Sequence, residues 1–372
     1  MARKTMAYVV YPGISLLELV GTRSMLGSIA AMGAGFDSVV VGEKKTNTAT
    51  DTPLAIIPQK TFAEVPNPDA LVVIGGGADT LPALENPRLV EYIRSFGQSA
   101  GLVVGVSTGA LLLAAAGLLN GRRATTHWAY AGRLNAAGSQ YQPEPWVTDG
   151  KFTTAAGVSG GIDMGIALGA RLTSQGTARQ AQLMAEYDPH PPFGNIDWSR
   201  VSKADVAPLL DVNLPANPDA KDIAFVIYPD LTVFDLAGPL QVISVLSRID
   251  PRFRPLVVAE HAGPVSTDIG VQMVPNRTFA ELPNPSGFVV PGGSTPTLKA
   301  MSNPAIRRYI LNAAESADWI VSVCTGALIL ASVGLLECRE VTTHWSYRSF
   351  LHAFGARYAQ KRWTHNGKII NS

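Results

Sequence analysis

The chain has 372 residues, of which 47% are apolar and 16% are charged, so it is long enough for two globular domains and too apolar to be intrinsically disordered. Its 30 basic and 29 acidic residues provide no basic field of the kind on which nucleic-acid binding relies. With two cysteines, a disulfide scaffold and a multi-cysteine zinc site are excluded.

Short runs rich in β-branched residues alternate with longer helical stretches along the first half of the chain. Val and Ile runs without strict alternation indicate strands that are buried on both faces of a parallel sheet. The predicted strands are MAYVVYP (6–12), DSVVVGE (37–43), ALVVIGGG (70–77), GLVVGVS (101–107) and KFTTAAG (151–157). Predicted helices lie between them at 15–32, 86–99 and 108–119. The pattern predicts a doubly wound α/β domain with a mostly parallel, flavodoxin-like sheet.

The second half of the chain repeats the first at a constant offset of 217 residues. YPGISLLELVG recurs as YPDLTVFDLAG, FAEVPNP as FAELPNP, and WVTDGK as WTHNGK. The segments that begin at Ser107 and Cys324 share 14 of 22 residues. An offset that needs no insertion predicts a tandem duplication of one globular unit.

The predicted domains are residues 1–198 and 222–372, joined by a linker at 199–221 that is rich in Pro, Asp and Asn. Ser372 aligns with Ala155, so the second copy has no match for a glycine-led helix predicted at 157–171. Two interpretations are open: the natural chain continues past Ser372, which we favour, or the second domain lacks this final helix.

The amino terminus predicts no secretory signal, because a strand-like run begins within ten residues and no separate apolar segment precedes a cleavage site. The most apolar stretch, 103–119, falls short of a transmembrane length. We therefore expect a cytoplasmic protein that does not bind membranes.

Cys324 lies where an apolar strand, IVSV, runs directly into a helix, ALILASVGLL. The glycine two residues later permits a tight turn that presents the thiol at the carboxyl edge of the sheet, where open α/β folds place their ligands. Amides at a helix start favour the thiolate. The alternative is that Cys324 is a small cysteine buried in the core. The tight turn between strand and helix, which we call the elbow, favours a reactive cysteine. Cys338, which replaces Gly121 of the first copy, is interpreted as incidental.

The segments YPDLTVFDLAGPLQV, VPGG, VCTGALILASVGLL and VTTHW together resemble the ThiJ/PfpI superfamily, within the class I glutamine-amidotransferase-like fold. The resemblance covers both repeats and is closest to the branch with isonitrile hydratase and the amino-terminal domains of AraC-type regulators. The resemblance implies that Cys324 is the nucleophile, that Thr325 is the residue that follows it in the family, and that Asp235 is the acid that contacts it. It also implies that Gly292 and Gly293 form the pocket loop and that His344 lies near the site.

This set suits nucleophilic chemistry, in which a thiolate attacks carbon, amides stabilise the developing charge and a carboxyl group moves a proton. Each partner also has a structural interpretation. Asp235 could be an exposed acid at a helix start, although its apolar flanks favour partial burial. His344 could be a packed residue, and Gly292 and Gly293 could serve a turn.

The first copy departs from the family pattern at the elbow, where Ser107 replaces the cysteine and Glu18 replaces the aspartate. A hydroxyl is a poor nucleophile without a dedicated base, so we predict that this degenerate site is catalytically silent. A ligand-binding role stays open, because four further positions of the family site are present in this copy, namely Gly75, Gly76, Thr108 and His127.

The resemblance implies a cysteine-dependent hydratase or hydrolase that converts an isonitrile to an N-substituted formamide. The alternatives are a glyoxalase or deglycase activity and a non-catalytic ligand-binding or redox-sensing module. We expect a small-molecule substrate or ligand, no nucleic-acid partner, no cofactor and no metal, because the histidines and carboxylates lack ligand spacing. We also expect the two halves to pair as an intramolecular pseudo-dimer, and homo-oligomerisation stays open.

Overall fold

The computed structural model describes residues 3–197, 200–202, 204 and 217–372. Of these residues, one unit contains 3–51, 56–197, 200–202 and 204, and the other contains 52–55 and 217–372. The second unit's first strand begins at Lys221, the last residue of the predicted linker. Most of that linker lies outside the described residues, and the predicted pairing of the two halves stays a prediction.

The first half of the chain alternates strands and helices. Its strands are β1 (Lys4–Val9), β2 (Phe36–Gly42), β3 (Thr48–Ala49), β4 (Ala55–Ile57), β5 (Lys60–Thr61), β6 (Ala70–Val73), β7 (Leu102–Val106), β8 (Arg123–Ala124), β9 (Gln140–Tyr141), β10 (Trp146–Asp149) and β11 (Phe152–Ala155). Its helices are α1 (Leu16–Thr22), α2 (Ser28–Gly33), α3 (Thr80–Ala83), α4 (Pro87–Ser99), α5 (Gly109–Ala115), α6 (Ala131–Ala136), α7 (Val158–Leu172) and α8 (Gln175–Met184).

The second half follows the same order of elements. Its strands are β12 (Lys221–Val226), β13 (Phe253–Ala259), β14 (Val265–Ser266), β15 (Gln272–Val274), β16 (Arg277–Thr278), β17 (Gly287–Val290), β18 (Trp319–Ser322), β19 (Glu340–Val341), β20 (Arg357–Tyr358), β21 (Thr364–Asn366) and β22 (Ile369–Asn371). Its helices are α9 (Val233–Ile249), α10 (Thr295–Ser302), α11 (Pro304–Ser316), α12 (Gly326–Ser332) and α13 (Arg348–His352).

Each unit is built on a seven-stranded sheet, and the two sheets have the same strand order. The orders are β10-β11-β7-β6-β1-β2-β5 and β21-β22-β18-β17-β12-β13-β16. The neighbours pair in parallel except for the outer pairs β10–β11 and β21–β22, which are antiparallel. The predicted fold, two tandem doubly wound α/β domains with mostly parallel sheets, is confirmed.

The central strands are buried on both faces, as their unbroken apolar runs predict. All four residues of β6 are buried, as are the last four of β12. The helix predicted at 15–32 is interrupted by a π-helical segment, Arg23–Gly27, between α1 and α2. In the described part of the chain, no helix has both the length and the apolar character needed to cross a membrane.

Candidate active site at the strand-to-helix elbows

The two elbow residues share an unusual backbone conformation. Ser107 joins β7 to α5 with a φ of 53°, and Cys324 joins β18 to α12 with a φ of 54°. Positive φ is uncommon in residues with a Cβ and persists where the surroundings hold it in place. The repeat therefore preserves one strained turn in both units, even though the side chain differs.

Hydrogen bonds on both sides of Cys324 hold this turn. Its amide donates to the Ser372 carbonyl at 2.7 Å, and its carbonyl accepts from Thr343 Oγ1 at 2.9 Å. The first elbow has equivalent bonds to the Ala155 carbonyl at 2.8 Å and from Thr126 Oγ1 at 2.9 Å. These threonines are not among the predicted site residues, although both belong to the repeated TTHW motif.

Thr325 fixes the glycine loop to the second elbow. Its Oγ1 accepts from the Gly293 amide at 3.0 Å and from the Ser294 amide at 3.2 Å, and it lies 2.8 Å from Thr297 Oγ1. This side chain therefore positions the loop and engages the Gly293 amide, which the resemblance places in the pocket lining.

Thr108 makes the same contacts in the first unit. Its Oγ1 accepts from the amides of Gly76 at 3.1 Å and Gly77 at 3.0 Å, and it pairs with Thr80 Oγ1 at 2.6 Å. The threonine after the elbow thus serves the same positioning purpose in both units, whatever residue stands at the elbow itself.

The acidic residue of the second unit packs directly on this loop. A Cβ added at Gly292 would lie 2.7 Å from both Asp235 Oδ2 and Thr325 Oγ1 and 2.8 Å from the Thr325 amide nitrogen. Asp235 stands in the first turn of α9; its side chain is half-buried and its Oδ2 is buried. Glycine is therefore required at 292, because the carboxyl group and the elbow threonine occupy the space of any larger side chain.

Glu18 occupies the equivalent position in the first unit and contacts the elbow serine. It is 6% exposed, and its carboxyl group interacts with the Ser107 side chain and the Gly75 backbone, which partly offset the effect of burial on its pKa. Burial is the main cause that raises its pKa to about 8. At pH 7 the carboxyl is therefore mostly protonated, and a protonated carboxyl is not a base for Ser107.

A buried tyrosine lies beside Asp235 and Cys324. Tyr228 Oη donates to the Pro291 carbonyl at 2.9 Å and lies 3.3 Å from Thr297 Oγ1. Burial raises the pKa of Tyr228, and the neighbouring Asp235 and Cys324 act in the same direction. The phenol therefore stays neutral near both groups. Tyr228 is not among the predicted site residues, although a tyrosine-proline pair stands at this position in both copies.

Each histidine of the TTHW motifs caps a short 3₁₀ turn. His127 Nδ1 accepts from the Ala129 amide at 3.3 Å, and burial lowers the pKa of His127. His344 Nδ1 accepts from the Ser346 amide at 3.3 Å and lies 2.7 Å from Ser346 Oγ. These bonds give His344 a structural role, and a catalytic role for it stays a prediction.

The two elbows differ in accessibility. Ser107 is 2% exposed, whereas Cys324 is half-buried and so more open to a small reagent. Cys338 is exposed and has a φ of 59°, where its first-copy equivalent Gly121 has a φ of 69°.

Among the described residues, no group of three or more His, Cys, Asp or Glu side chains could hold a metal ion.

Comparison with known proteins places this geometry in a family. The DJ-1/PfpI family model matches residues 4–170 and 221–372, one match on each unit. The chain belongs to the DJ-1/PfpI family.

The proteins that this chain resembles differ in what they are named for. An isonitrile hydratase from Pseudomonas putida is 35% identical over 186 residues, which are 50% of this chain and 79% of the hydratase. The HTH-type transcriptional regulator CdhR from Pseudomonas aeruginosa is 34% identical over 96 residues, 25% of this chain and 28% of the regulator. A ThiJ/PfpI family structure from Pseudomonas syringae is 35% identical, with a TM-score of 0.51 and coverage of 55% of this chain and 84% of that one.

Proposed function

We propose that the protein is a cysteine-dependent hydratase that converts a small isonitrile to an N-substituted formamide at Cys324. One observation carries this proposal: Cys324 stands on a strained elbow whose glycine loop packs against the carboxyl group of Asp235. A nucleophile and a proton-transferring group thus belong to one site. The similarity to an isonitrile hydratase supports the choice of substrate.

In the proposed reaction, the Cys324 sulfur attacks the terminal carbon of the isonitrile. A carbon–sulfur bond forms, and the proton of the thiol moves to that carbon, giving a thioimidate. Water then adds across the carbon–nitrogen bond, with its hydroxyl group on the same carbon and one proton on nitrogen. As the carbon–sulfur bond breaks, the proton of that hydroxyl group moves to sulfur. The products are the formamide and the free thiol, so the net reaction consumes one water and needs no oxidant or reductant.

Asp235 has the proton-transferring role in this proposal. The carboxyl group accepts a proton from the attacking water and returns it to nitrogen, which requires a group that exchanges protons and not only one that accepts hydrogen bonds. The phenol of Tyr228 lies close to Asp235 and Cys324 and is neutral, so it gives this side of the site a polar group without adding a charge. Thr325 positions the loop and does not contact the reacting atoms.

We propose no turnover at the first elbow. Glu18 is mostly protonated at neutral pH because burial raises its pKa, so Ser107 lacks a base when the second site is active. Ser107 is also 2% exposed, which restricts the approach of a substrate.

The test is formamide production from a simple alkyl isonitrile, measured by liquid chromatography with mass spectrometry on the full chain. We expect turnover by the wild type, none by Cys324→Ser, and near wild-type rates for the matched elbow variant Ser107→Ala. Methylglyoxal consumption is measured in parallel. Consumption of methylglyoxal without formamide production would contradict hydration and favour a glyoxalase activity, and inactivity toward both would favour a ligand-binding module.

A further inference from the structure

The second unit has a cleft of about 500 Å³ beside the strands β18 and β22. Ile320 and Ile369 line this cleft, and they pair with each other near the amino ends of the two parallel strands. Cys324 follows the carboxyl end of β18, so the cleft lies at the opposite end of these strands from the elbow. It is therefore separate from the candidate active site.

At the equivalent positions, the first unit brings together two cations, an aromatic ring and a carboxylate. Arg122 lies over the ring of Phe152, 4.5 Å from the ring centre, and its guanidinium is 3.6 Å from the carboxylate of Asp149. Lys151 lies 5.5 Å from the same ring centre. The chain itself thus supplies the ring and the carboxylate that these cations attract.

The second unit keeps both cations and loses both of their partners. At the 217-residue offset, the cations are Arg339 and Lys368, whereas the ring is replaced by Ile369 and the carboxylate by Asn366. All four residues line the cleft. The cleft therefore lies where the first unit has its cluster of ring, carboxylate and cations.

The charged groups of the cleft leave it with an excess of positive charge. Arg339 Nε donates to the Leu335 carbonyl at 3.1 Å, and no ion pair joins this guanidinium to a described residue. Lys368 Nζ donates to the Ala314 carbonyl at 2.5 Å, which holds its charge in place without neutralising it. Glu337 adds one carboxylate to the lining against these two cations.

We propose that this cleft binds a small aromatic carboxylate of the arylacetate type. The ring of the ligand takes the place of Phe152 beneath the guanidinium of Arg339, against the apolar wall of Ile369, and its carboxylate takes the place of Asp149. A planar guanidinium both stacks on rings and pairs with carboxylates. To meet one guanidinium in both ways, the carboxylate must leave the plane of the ring, which the methylene of an arylacetate allows.

The inference concerns a second binding site and does not rest on the proposed reaction. The probe is 4-fluorophenylacetate, which is titrated with the full chain and followed by the broadening of its fluorine NMR signal. We expect saturable binding that weakens by about tenfold or more for Arg339→Gln. The matched control is Arg277→Gln on β16, at the other outer edge of the same sheet, which should bind like the wild type.

Two analogues separate the contributions of the ring and the charge. Cyclohexylacetate has the carboxylate without the aromatic ring, and 4-fluorophenylacetamide has the ring without the charge. Both should displace the probe much less well than unlabelled phenylacetate does. Equal displacement by cyclohexylacetate would overturn the proposal, because the ring would then not be recognised.

A double variant returns the second unit to the residues of the first. Asn366→Asp combined with Ile369→Phe should abolish binding, because the chain then supplies its own ring and carboxylate to Arg339. The first unit packs with these side chains, and urea unfolding of the variant shows whether the second unit does so too. Undiminished binding to a folded double variant would overturn the proposal.

A further readout uses the wild type alone and so does not depend on how any variant folds. Cys338 lines the cleft and is exposed. Saturating probe should slow the alkylation of Cys338 by iodoacetamide several-fold and leave that of Cys324 unchanged, as followed by peptide mass spectrometry. Protection of Cys324 and not of Cys338 would place the probe at the elbow and contradict the proposal.

Discussion

Replacing Gly292 with alanine tests whether the loop, the acid and the elbow form one packed unit. The new Cβ would lie 2.7 Å from Asp235 Oδ2 and 2.8 Å from the Thr325 amide nitrogen. The carboxyl group could rotate away, but the backbone amide belongs to the strained turn and cannot. Such overpacking typically costs about 1–3 kcal/mol. With a urea m-value of about 2 kcal/mol/M, the unfolding midpoint of the second unit should fall by roughly 0.5–1.5 M.

The assay is urea unfolding followed by tryptophan fluorescence, with formamide production measured on the same samples. The matched control is Gly238→Ala in α9, where an added Cβ meets no heavy atom within 4 Å. It should stay within about 1 kcal/mol of the wild type. Equal stability of Gly292→Ala and Gly238→Ala, with activity intact in both, would refute the close packing of Asp235 on the loop.

The remaining predictions concern the elbow bonds and the first site. Thr126→Val removes the donor to the buried Ser107 carbonyl and should cost about 1–3 kcal/mol in urea unfolding. Thr343→Val removes the equivalent, partly buried bond to the Cys324 carbonyl and should cost less, and no change in either variant would mean that the bonds do not hold the turn. Because the pKa of Glu18 rises from 4.5 to about 8 on folding, the folded state retains a proton that the unfolded state loses, so wild-type stability should fall as pH rises from 4.5 to 8, by on the order of 4 kcal/mol. Glu18→Gln should lose this slope, and an unchanged slope would contradict the burial of an ionisable group there.

Much of the fold follows from local sequence. The apolar runs at Ala70–Val73 and Leu102–Val106 are strands because their residues must be buried on both faces of the sheet. The glycine-led run that becomes α7 is a helix close to its predicted bounds. The elbow residues could be predicted because an apolar strand, a small residue and a helix follow one another directly in the sequence. Few other turns produce this pattern.

Other features depend on distant residues and leave little local signal. The π-helical segment at Arg23–Gly27 interrupts a run that reads as one continuous helix. The bond from Thr343 to Cys324 joins residues 19 apart, and the contact of Tyr228 with Pro291 joins residues 63 apart. Only their repetition at the same offset in the other unit could have marked them. The raised pKa of Glu18 comes from burial, which the sequence shows only as apolar neighbours.

The central claim, that Cys324 forms a covalent bond to substrate carbon, is tested most directly by acid-quenched mass spectrometry of Asp235→Asn after mixing with an isonitrile. Without a group that exchanges protons at 235, hydrolysis of the thioimidate should slow, and the adduct should accumulate. We predict a mass gain equal to one intact isonitrile, located on the peptide that contains Cys324 and absent from Cys324→Ser in the same background. An adduct on Cys338, or formamide production by Cys324→Ser, would contradict the account.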